Sequence, residues 1–149
     1  MKATTKVLIV TLVVGIVGFL TESNGPLGAF WAPDPSMPQP VGVQLPLFML
    51  LGAIEALALG LGASFLLFGY STLKANTSVT EPMTGAAHLA TAWLLMNWWA
   101  HDSLHQHNGM HLNGLLRIDY GFHVTLIISG LIVAWFFLAV VRAPARPSP

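Results

Sequence analysis

Cysteine is absent from the 149 residues. That excludes disulfides, thiolate metal sites, iron–sulfur clusters and thiol nucleophiles, and leaves any chemistry to histidine, carboxylates, methionine or hydroxyls. Charge is nearly as scarce. Six basic and six acidic residues make up 8% of the chain, against about 25% in an ordinary soluble domain, so a soluble fold could not solvate its own surface. Six Lys and Arg at zero net charge also form no basic footprint for phosphates, which excludes nucleic acid as a partner.

What the chain has is uninterrupted apolar length. Hydrophobic residues reach 54%, and uncharged runs of 15, 18, 20 and 22 positions separate Lys6 from Glu22, Glu55 from Lys74, Glu81 from Asp102 and Asp119 from Arg142. Apolar runs of about 18 or more read as membrane spans. The fold expected is an all-α integral membrane protein: one four-helix transmembrane bundle, residues 1–149, with helices at about 5–21, 44–73, 85–107 and 118–142. The first span is short, so Lys6 must snorkel to the interface or the helix must begin nearer Thr4. Lys2 and Lys6 ahead of a Val/Leu/Ile run also fit a signal peptide, but no clean A-x-A site follows, and an uncleaved helix is the expectation.

Orientation follows the basic residues, which are retained on the cytoplasmic side. With both termini cytoplasmic, Lys2, Lys6, Lys74, Arg142 and Arg146 all lie inside and Arg117 alone lies outside. The localisation expected is the plasma (inner) membrane. The extracytoplasmic side then receives the segment between helices 1 and 2, where Pro26, Pro33, Pro35, Pro38 and Pro40 forbid a regular helix and make a stiff cap. It also receives the histidine-rich stretch after the third span. Trp31, Trp98, Trp99 and Trp135 read as interfacial anchors.

Four of the six histidines fall within Asn97–His111. A hydrocarbon core of about 30 Å takes about 20 residues at 1.5 Å each, which carries a helix starting at Ala86 as far as His105. His101 and His105 are then i and i+4 on one helical face, the spacing with which a helix offers two imidazoles to one metal. Asn108-Gly109 is a natural stop. His107 and His111 lie around that end, as a polar loop, a capture site or a second metal site. In the fourth span His123 follows Asp119 by four residues, so the carboxylate is placed to orient the imidazole. Glu55 stands inside an otherwise uncharged span, where an ionisable group is a functional candidate by default. It borders a stripe of small residues, Gly52, Ala56, Gly60 and Ser64, that admits a close helix neighbour. His88 is remote from the others and reads as an isolated, satisfied histidine.

The metal ligands expected are therefore His101, His105 and His123 with Glu55, and more weakly His107 and His111; Glu55 and Asp119 are the candidate proton-handling, catalytic groups. Imidazole with carboxylate suits iron or zinc, and Met96 or Met110 as a further donor would favour copper. The HxxxHxH pattern of His101, His105 and His107 is similar to the histidine boxes of membrane desaturases and hydroxylases over seven residues, but the chain has no HxxHH box, so no role is carried over. Two other readings stand beside a metal-binding, redox-type membrane protein. One is a haem b protein with His101 and His123 as axial ligands. The other is a non-catalytic accessory subunit docking on other membrane subunits or on its own copies. The lipid bilayer is a partner in every case.

Overall fold

The structure is a computed structural model of the chain that describes residues 2–143; Met1 and residues 144–149, with Arg146 of the orientation argument, lie outside the described residues. Every element among them is helical: α1 (Ala3–Thr21), α2 (Gln44–Asn76), α3 (Glu81–Asn108), α4 (Leu112–Asp119) and α5 (Thr125–Arg142). One 3-10 turn, Gly28–Trp31, interrupts the Pro-rich segment, and a π-helical turn, Tyr120–Val124, fuses α4 to α5.

Three helices are long and apolar enough to cross a membrane: Ala3–Thr21, Gln44–Asn76 and Leu112–Arg142. The third expected span, α3, is long but not apolar enough. Its polar residues lower its hydropathy, and Thr84, His88, Asn97, His101 and Ser103 among them are buried within the protein. The cover comes from either side: α1 packs on α2, α2 on α3 and α3 on α5, with α1 and α5 at the ends of this series.

The packing is inverted relative to a water-soluble core. The largest fully buried side chains are Asn97, Thr84, Ser64 and Ser103, whereas Leu8, Ile16, Leu47, Ile127, Leu131 and Phe137 are exposed. Small and polar residues inside with large apolar ones outside is the arrangement that hydrocarbon solvent favours, since lipid gives helices no reason to hide leucine from it.

The small-residue stripe of α2 meets α1. Ala56 is 1% exposed and lies against Gly15 and Gly18 of α1, while Gly60 lies directly on the backbone of Thr11, with no room for a Cβ. At the end of the stripe Thr11 Oγ1 donates to Ser64 Oγ over 3.0 Å. At its other end, Gly52 lies beneath the carboxylate of Glu22, the C-cap of α1.

α3 is pinned to α2 near its start, where Lys74 pairs with Glu81 at 2.6 Å and the ring of His88 sits between Phe65 and Tyr70. His88 Nε2 lies 3.0 Å from the Phe65 carbonyl oxygen, the satisfied role expected of it. The helix stops at Gly109, whose φ of +59° favours glycine and whose N–H bonds to the His105 carbonyl.

The Pro-rich segment crosses the end of α3 as a strap. Trp31 stacks edge-on with Trp99, centroids 5.4 Å apart. The two indole N–H groups donate to the free end carbonyls of α1, Trp31 to Thr21 and Trp99 to Gly18, both at 2.8 Å. Asp34 N–H bonds to Gln106 O at 2.9 Å, and Met110 N–H to Ser36 Oγ at 3.2 Å.

Candidate metal centre

His101 is the inner member of the histidine cluster, 8% exposed. Its Nδ1 lies 2.8 Å from Asp102 Oδ1. With the hydrogen placed on Nδ1 and donated to this carboxylate, the lone pair of His101 stands on Nε2. One turn on, His105 brings its Nε2 to 3.1 Å from that nitrogen.

The other wall comes from the helix after the histidine stretch. The His123 ring centroid lies 5.1 Å from that of His101. Asp119 Oδ1 lies 3.6 Å from His123 Nδ1 and 4.0 Å from His105 Nε2. One ligand atom each from His101, Asp119 and His123 falls within 4.8 Å of the others. Donors bound to one metal at about 2.0–2.2 Å stand roughly 3–4 Å apart, so small side-chain rotations close this group on an ion.

Local sequence builds this approach. Trp93 on α3 stacks on Phe122, centroids 5.8 Å apart, and its indole N–H donates to Thr125 Oγ1 at 2.9 Å. The single hydrogen of the same hydroxyl is shared between the Gly121 and Phe122 carbonyls, at 2.7 and 3.0 Å, and ties the indole to the π turn. π turns insert a residue and re-aim side chains, often at functional sites. This one holds Phe122 5.3 Å from the His101 ring and His123 beside it.

The cluster has a closed side and an open side: the side chains of His101 and His105 are 10% and 26% exposed, those of Asp119 and His123 46% and 50%. A ligand can reach it from one direction.

The remaining expected site residues lie elsewhere. His107 Nδ1 lies 2.7 Å from the Trp31 carbonyl oxygen, and His111 Nε2 lies 3.3 Å from Asp34 Oδ2; both fasten the strap. Glu55 is buried, 7% exposed, but its carboxyl neighbours are Asp102 of α3 and Glu22 rather than a side chain of the last helix. It reaches the histidines only through Asp102. Burial pushes the Glu22 carboxyl above its usual range, against the hydrogen bond that Asn24 donates to it. Asp119 stands as a member of the donor group, 3.6 Å from His123 Nδ1, beyond the hydrogen bond expected to orient that ring; the carboxylate–imidazole contact of hydrogen-bond length is Asp102 with His101. Met96 turns onto Gly62 of α2, and Met110, in the turn between α3 and α4, is 67% exposed.

Sequence reasoning missed Asp102, Asp34 and the Trp93–Phe122 stack. Asp102 carried only a weak signal, its place beside His101, because consecutive residues on a helix do not face each other.

The chain matches no protein-family model, no curated protein and no solved structure.

Proposed function

We propose that this is an integral membrane protein that holds a divalent transition-metal ion through His101, His123 and Asp119, with His105 as a fourth donor. The observation that carries the reading is the meeting of one ligand atom each from His101 on α3, Asp119 at the end of α4 and His123 in the π turn, all within 4.8 Å of one another, next to a carboxylate that bonds His101 Nδ1. Two imidazoles with one carboxylate and an open side suit Fe(II) or Zn(II). The methionines turn away, which removes the thioether donor that would have favoured copper. An exchangeable position on the exposed side lets a water or substrate reach the ion, the condition for a metal-dependent enzyme or a labile carrier site.

An ion fits the ring packing better than haem does. The rings of Trp98, His105, Phe122 and His123 all lie with centroids 4.5–5.9 Å from that of His101, which leaves no flat slot for a porphyrin. In the same reading α3 is the fourth membrane traverse, carried between α2 and α5 despite its polarity. Both termini are cytoplasmic, and the centre faces the extracytoplasmic side beneath the strap.

The test is elemental analysis with an optical spectrum of detergent-purified protein. About one metal per chain without a Soret band is expected, with severe loss in His101→Ala and His123→Ala. Full occupancy in the double variant would overturn the site.

A further inference from the structure

On the other side of Asp102 from the histidines, a cavity of about 370 Å³ opens between α2 and α3, lined by Leu51, Ile54, Glu55, Ala58, Trp98 and Asp102. Small-molecule sites begin at roughly 300 Å³. We propose that this cleft binds a lipophilic organic cation, an amine or quaternary onium carrying apolar substituents.

Charge is the first argument. Glu55 is more than nine-tenths buried, and Glu22, over the adjacent turn of α2, is 4% exposed. Among the described residues the one ion pair between an acid and a Lys or Arg is Lys74–Glu81, at the far end of α2. Asp102 meets the His101 ring and the Glu55 carboxyl, and neither is a Lys or Arg. Acids buried in low dielectric without a basic partner are costly, and a cation entering the cleft compensates them. An anionic occupant would add to the repulsion.

The walls supply the second argument. Leu51, Ile54 and Trp98 are 45%, 56% and 45% exposed, so the mouth lies on the outer surface of the helix pair, the side that faces acyl chains in a bilayer. Aliphatic walls match apolar substituents and offer nothing to the water shell of an inorganic cation. The indole adds the aromatic surface with which proteins hold onium groups. The cleft adjoins the metal centre through Trp98 and Asp102, which both touch His101, but the proposal needs no metal to be bound.

The experiment is equilibrium dialysis of labelled tetraphenylphosphonium against the full chain in nanodiscs of zwitterionic lipid, with neutral triphenylphosphine oxide as competitor. Saturable binding of one cation per chain is expected, with no displacement by the neutral compound. Glu55→Gln should weaken it at least tenfold, and Ala58→Leu, which fills the cleft and keeps the acid, should abolish it. Both variants must elute and show helical circular dichroism as the wild type does. Three results would overturn the proposal: no saturable binding to the wild type, equal displacement by the neutral compound, or wild-type affinity in either folded variant. The second would mark the cleft as a groove for lipid chains.

Discussion

Asp102 Oδ1 lies 2.8 Å from Nδ1 of His101, its own neighbour in the chain, and this contact decides which nitrogen of His101 faces the other donors. With the hydrogen held on Nδ1, the Nε2 lone pair points at His105, 3.1 Å away. Such carboxylate–imidazole pairs orient the ring and raise its basicity.

Asp102→Ala should therefore weaken metal binding by roughly 10–100-fold without removing a ligand. Asp102→Asn should do less harm, because its amide oxygen still accepts the Nδ1 hydrogen. Competition titration with a chromophoric chelator measures both. Equal affinity in wild type and Asp102→Ala would show that the contact has no part in the centre.

Two glycines offer an opposed pair of stability effects. A Cβ at Gly60 would run into the Thr11 backbone, whereas one at Gly130 meets nothing within 4 Å. Gly60→Ala should force α1 away from α2 and cost about 1–3 kcal/mol, as overpacking does. Gly130→Ala should be neutral or stabilising by up to about 1 kcal/mol through helix propensity. Thermal unfolding in detergent compares them, and a Gly60→Ala protein as stable as wild type would contradict the close α1–α2 approach.

The reach of the sequence can be judged from these same residues. Charge-poor runs located the four long helices but not α4, Leu112–Asp119, and period counting placed His101 beside His105, because both properties are local. The partner of Glu55 was not legible, since it depends on which helix lies next to α2, and hydropathy along the chain does not encode that order. Nor was the π turn, which rests on a Trp93–Thr125 bond across 32 residues. The role of His107 and His111 was half legible. Proline content announced a stiff cap, but only the fold could bring Trp31 within reach of His107, 76 positions away. The polarity of α3 was legible in composition and was outweighed there by its length.

Sidedness has a direct test because the chain lacks cysteine. Ser36 on the strap and Ser78 between α2 and α3 are both exposed and lie at opposite ends of the helices. Ser36→Cys should react with an impermeant maleimide added to intact cells, and Ser78→Cys only after permeabilisation. Labelling of both from the same side would refute the proposed traverse by α2.

The strap carries a pH dependence of definite sign. Hydrogen bonds from the Ser36 side chain and backbone, with the nearby His111, hold the Asp34 carboxyl below its ordinary range. The backbone bond, Ser36 N–H to Asp34 Oδ1, is 2.7 Å, and Ser36 Oγ in turn accepts from Met110 N–H. A carboxyl whose folded pKa is depressed contributes stability that is present above its unfolded value, about 3.9, and is lost as pH falls through the folded one. The strap should therefore stay seated through neutral and mildly acidic solution and loosen only below the ordinary Asp range. Hydrogen exchange of peptides covering residues 30–40, corrected for intrinsic rates, should show protection collapsing there. In Asp34→Ala protection should already be reduced at neutral pH and should lack that acid step. An acid step of undiminished size in Asp34→Ala would place the titrating group elsewhere.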